Sequence, residues 1–108
     1  VRKPDRLIRR DDADLWASVA SLWEIAIKTR LGKLDPGLPL GSLPQFYEAM
    51  GITFLPVTTS HALASVDPLP PTRDPFDRML LAQCRVEGFS LVTLDRALRD
   101  HPQTWRLA

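Results

Sequence analysis

Twice in this chain a helical stretch closed by a glycine runs into a short β-branched and aromatic segment, and that alternation narrows the possible folds more than any other feature. Ser42 starts one such stretch, which carries Pro44 in its first turn and runs through Met50 to Gly51; Ile52 to Val57 then reads as a strand. Asp74-Pro75-Phe76-Asp77 combines a capping acid, a proline at the first helical position and a second acid in the first turn. A helix is predicted from there to Glu87, with Gly88 as its stop and Phe89 to Thr93 as an apolar strand. Upstream, Ser18 caps a helix in which Leu22, Ile25, Ala26 and Leu31 recur near helical spacing until Gly32, and Ala13 to Ala17 before it reads as a brief strand. Short helices are expected at Pro4 to Asp12, with Leu7 and Ile8 inward, from Thr59 or Ser60 to Val66, and at Leu94 to Asp100, followed by a terminal strand at Thr104 to Leu107. Strands separated by helices predict an α/β layer architecture around a mainly parallel sheet.

A chain of 108 residues, 44 % hydrophobic, is too short for two independent cores. Most of its 10 prolines fall at 36–44 and 68–75, which read as loops within one domain. With 25 % charged residues and a net charge of +1, no broad positive field argues for nucleic acid. The densest cationic stretch, Arg2, Lys3, Arg6, Arg9 and Arg10, is accounted for by a solvated helix face. Cys84 stands alone, and with His61 and His101 it completes neither a disulfide nor a zinc site of ordinary ligand count. No apolar run approaches the roughly 18 residues of a membrane span, and no signal-peptide core follows the basic start; a cytoplasmic location is expected.

In open parallel sheets, ligands bind beyond the carboxyl ends of the strands. Glu24, Asp77 and Asp95 all lie at or near strand-to-helix junctions, and carboxylates from separate elements can converge on hard cations such as Mg²⁺ or Mn²⁺. Each also has an ordinary explanation. Glu24 stands four residues before Lys28 in the favourable orientation for a helical ion pair, although its apolar neighbours leave a narrow solvent-facing stripe. Asp77 suits a positive helix terminus, and Asp95 suits a turn or cap. Ser18, Ser21 or Ser60 with His61 or His101 lack a nucleophile elbow, and no glycine-rich phosphate loop is present. His61 reads as a helix-surface residue and His101 as a loop residue, while Trp16, Trp23 and Trp105 read as core or interface anchors.

The string from Ser18 to Lys28, SVASLWEIAIK, continuing through Arg30-Leu-Gly-Lys-Leu34, resembles the second motif of PIN-domain toxins of the VapC type. Arg73-Asp-Pro-Phe-Asp-Arg-Met-Leu-Leu-Ala-Gln83 is similar to the family's third acidic motif and Leu91-Val-Thr-Leu-Asp95 to its fourth, in the same order. The resemblance implies a three-layer α/β/α domain over residues 1–108 in which Glu24, Asp77 and Asp95 bind Mg²⁺ or Mn²⁺ and act as the catalytic set, with Thr93 supporting. It implies an endoribonuclease toxin of a type II toxin-antitoxin system, with RNA as substrate, a cognate antitoxin and a second copy of the chain as partners, and no membrane association. Family members begin with an apolar strand ending in an aspartate, then a helix. Nothing before Ala13 has that pattern, so the first strand, first helix and first acid are expected to be missing and the middle of the sheet left open unless a partner chain fills it. The rival expectation is a catalytically impaired PIN-fold remnant that binds an antitoxin or its own copy through apolar surface at Trp16, Trp23, Phe46 and Tyr47.

Overall fold

In the computed structural model, which describes residues 6–10, 14–70, 73–93, 98, 101–102 and 104, the short apolar runs line up side by side. The strands are β1 (Arg6–Arg9), β2 (Leu15–Ser18), β3 (Ile52–Leu55) and β4 (Ser90–Thr93), and they form one sheet in the order β3-β2-β1-β4. β2 and β3 pair in parallel from Leu15↔Ile52 to Ser18↔Leu55. β1 runs antiparallel to both of its neighbours, pairing Ile8 with Trp16 on one side and with Leu91 on the other. β2, β3 and β4 therefore share one direction, and their carboxyl ends share one edge. Beyond β4, Thr104 adds a parallel bridge to Leu91. The rest of the expected terminal strand, and the helix expected at Leu94 to Asp100 apart from Leu98, lie outside the described residues.

The helix expected at Pro4 to Asp12 is corrected: Arg6–Arg9 is a strand. The place near the middle of the sheet is accordingly occupied, by a strand running in reverse. Two rows of backbone groups, on β2 and on β4, need partners, and a four-residue strand between them serves both. Extended backbone also sends Leu7 and Ile8 to opposite faces, where a helix would have put both on one. Ile8 is fully buried with Leu80, Leu81 and Leu91, while Leu7 packs against Ala17, Tyr47 and Ile52 on the other side. Fully burying one such aliphatic side chain contributes about 1.5–3 kcal/mol, more than a local helical preference over four residues could oppose.

The helices are α1 (Val19–Arg30), α2 (Leu43–Ala49), α3 (Thr59–Leu63) and α4 (Pro75–Glu87), with a 3-10 turn at Leu40–Ser42 before α2. α4 supplies Leu80, Leu81 and Cys84 to one face of the sheet, and α2 supplies Tyr47 to the other, which makes the arrangement three-layered. α1 packs on α4 and on β2. Gly88 ends α4 with φ 72°, a left-handed conformation that residues with a Cβ rarely adopt.

His61 is corrected from helix surface to core: it is 1 % exposed. Thr58 caps α3, its hydroxyl accepting from the His61 backbone N–H (3.3 Å), while the Thr58 N–H donates to His61 Nδ1 (3.0 Å). Gln83 on α4, also buried, donates to the Pro56 carbonyl (3.3 Å) and lies 3.4 Å from the same imidazole nitrogen. This polar staple ties the end of β3 and the start of α3 to α4. His101 does lie in a loop but is buried, its Nε2 donating to the Pro68 carbonyl at 2.7 Å; a carbonyl only accepts, so that nitrogen carries the hydrogen.

Candidate functional site

Ser18 is both the last residue of β2 and the cap of α1, its hydroxyl accepting from the Ala20 N–H at 3.0 Å, so strand turns into helix with no loop between. That junction sets Glu24 in the middle of α1, where it is 7 % exposed. The ion pair expected from spacing is present, with Lys28 Nζ 3.2 Å from Glu24 Oε2. A pair whose lysine side chain is 41 % exposed contributes roughly 1 kcal/mol at most, against several kcal/mol for taking a carboxylate out of water.

Asp77 is buried as well. Asp74 caps α4, its Oδ1 accepting from the Phe76 N–H at 2.9 Å, and Pro75 takes the first helical position. The helix start is thus already capped, yet Asp77 in the first turn is 2 % exposed. Favourable placement near a helix N-terminus contributes about 0.3–1 kcal/mol, again less than the cost of burying an ion.

The two helices meet where these acids sit. Trp23 and Phe76, the residues immediately before Glu24 and Asp77, contact edge to face with ring centroids 5.7 Å apart. Around them runs a trough of about 500 Å³ lined by Val19, Ala20, Trp23, Val57, Phe76 and Met79, with Pro75 at its rim. Val19 follows β2 directly and Val57 lies two residues past β3, so the start of α4 sits at the carboxyl edge of the sheet. The end of β4 reaches the same edge, where half-buried Thr93 pairs with Arg6. Asp95 falls outside the described residues. The structure thus brings together the helices of Glu24 and Asp77 at the expected edge, and among the described residues it shows no group of three or more His, Cys, Asp or Glu side chains placed to hold a metal.

Oxygen donors of this kind fit Mg²⁺ or Mn²⁺. The softer donors are committed elsewhere: burial pushes the Cys84 thiol up to about 12, and the two histidines serve the staple and the Pro68 contact. Ser18 is a helix cap and so is no nucleophile candidate. Of the apolar residues expected to form a binding surface, Tyr47 is buried, stacked on Phe54, and Trp16 packs half-buried against Phe89. Trp23 is the exception at 62 % exposed, and Trp105 lies outside the described residues. The periodicity of α1 gave no sign of that exposure, because Trp23 sits in an apolar run broken only by Glu24.

Among the described residues no helix is long and apolar enough to cross a membrane. Compared with models of known families, residues 2–103 match the one described as PIN domain. No curated protein and no solved structure matches the chain.

Proposed function

Since the chain belongs to the PIN-domain family, whose members are typically nucleases that use divalent metals, we propose that it is a metal-dependent endoribonuclease, the toxin of a VapC-type toxin-antitoxin pair. The observation that carries this reading is the pair of buried acids, Glu24 and Asp77, on helices that touch at the carboxyl edge of the sheet. Two buried carboxylates on packed helices at a ligand-binding edge are a donor set that a hard cation takes. Residues 1–108 are read as one PIN-like unit, acting in the cytoplasm on RNA, with an antitoxin and a second copy of the chain as partners.

In this reading Glu24, Asp77 and Asp95 hold Mg²⁺ or Mn²⁺, and the Thr93 hydroxyl supports the last of them. When bound, the cation supplies a nucleophilic water at neutral pH and offsets charge on the phosphoryl oxygens of an in-line displacement. The chain's own part is to fix the carboxylates on packed helices and to keep bulk water from them, which strengthens their pull on a cation. Cleavage of a structured RNA with Mn²⁺ tests this: Glu24→Ala is expected to cut about 10²–10³-fold more slowly than the unmodified chain. Equal cutting by both proteins refutes the role of Glu24.

A second reading, a PIN-fold remnant that serves as a binding module for an antitoxin or its own copy without catalysis, is favoured by one feature: Trp23 stands 62 % exposed on α1. Calorimetric titration with Mg²⁺ and Mn²⁺ separates the two. Heat from specific binding supports the nuclease, and silence supports the module.

A further inference from the structure

We propose that Trp23 is a stacking platform for one unpaired base of the RNA, with the trough between α1 and α4 as its seat; this rests on the ribonuclease reading above. The indole is 62 % exposed although it lies on a helix packed into the domain, and Phe76 braces it in a T-shaped contact with ring centroids 5.7 Å apart. An exposed, braced aromatic face is what sequence-tolerant recognition of single strands uses, because every base offers a π-face. The trough, about 500 Å³, falls within the size range of pockets that bury a ring-sized ligand.

Placement and charge argue for a nucleic-acid occupant. Trp23 and Phe76 each adjoin one of the two buried acids in sequence, so a base stacked on Trp23 beside Phe76 puts its own phosphates near the candidate site. Along α1, exposed Arg30 lies seven residues beyond Trp23, about two turns along the same helical stripe and roughly 10 Å away. Exposed Arg73 directly precedes the cap of α4 at the other wall. An apolar seat flanked by two guanidinium groups is complementary to a strand whose bases are flat and apolar on their faces and whose backbone is anionic. Among the described residues the lining of apolar side chains holds nothing that reads a base edge, so the seat selects unpaired over paired RNA and does not select one base over another.

The test measures binding of a labelled single-stranded oligoribonucleotide by fluorescence anisotropy in EDTA, where metal-dependent hydrolysis is stopped. Trp23→Ala is expected to weaken binding about 5- to 100-fold and Trp23→Phe to restore most of it. One abasic position in the oligonucleotide should weaken binding to the unmodified chain and have no further effect on Trp23→Ala, a coupling that a merely structural role would not produce. A matched duplex should bind the unmodified chain more weakly than the single strand. Unchanged affinity in Trp23→Ala overturns the proposal while leaving the cutting assay free to uphold the nuclease. Absence of RNA binding by the unmodified chain overturns it too. A switch in Trp23→Ala from dimer to monomer by sedimentation, with RNA affinity intact, overturns it in favour of a self-association surface.

Discussion

Asp77 is buried in the first turn of α4, beside Asp74, which already caps the helix. Asp77→Asn keeps the shape and removes the charge. The expected outcome is a melting temperature unchanged or raised, with loss of the heat of Mn²⁺ binding and of about 10²–10³-fold in cutting rate. A marked fall in melting temperature, with Mn²⁺ heat retained, would assign Asp77 to the fold instead. Cys84 makes a prediction of the opposite kind. Burial raises its thiol from 9.0 to about 12, so between those values the unfolded chain releases a proton that the folded chain keeps. Stability should therefore fall as pH rises above 9.0, by about 1.4 kcal/mol per pH unit from this group alone. Urea unfolding on either side of that pH, compared with Cys84→Ala, checks it; an identical alkaline slope in both proteins would remove Cys84 as the cause.

β1 is the element whose loss should matter most, since it is hydrogen-bonded to strands on both sides and buries Leu7 and Ile8 on opposite faces. Ile8→Pro removes a backbone donor from mid-sheet and is expected to cost about 3 kcal/mol or more, whereas Ile8→Val should cost about 0.5–1.5 kcal/mol. Chemical denaturation distinguishes these; a proline tolerated as well as valine would show that the strand contributes little. The helices were legible because their ends are written locally: Ser18 and Asp74 each satisfy an N–H two residues on, and Gly88 needs nothing but its own freedom at φ 72°. β1 was not legible, because Arg6-Leu-Ile-Arg9 is too short to establish a period and its conformation is set by strands it meets only after the chain has folded. α3 shows both cases, its position foreseen and the burial of its His61 under Gln83 not.

For the molecule as a whole, a cation that binds the folded chain and not the unfolded one must raise its stability. At about 100 times its dissociation constant, Mn²⁺ is expected to add roughly 2.7 kcal/mol, or on the order of 10–20 °C in melting temperature for a domain of this size. EDTA should reverse the shift, and Glu24→Ala should not show it; a melt indifferent to Mn²⁺ would count heavily against the site. The order of the helices with β2, β3 and β4, and the α/β layering, were present in the chain's own text, since caps and stops depend on residues a few positions apart. Tertiary structure alone decided that the middle of the sheet is filled by a reversed strand, that Glu24 and Asp77 are buried while Trp23 is not, and that Trp23 meets Phe76. Burial and pairing are settled between separate elements, such as β1 with β4 and α1 with α4, where backbone groups and apolar surface must find partners at once, and no local pattern records which partner that will be.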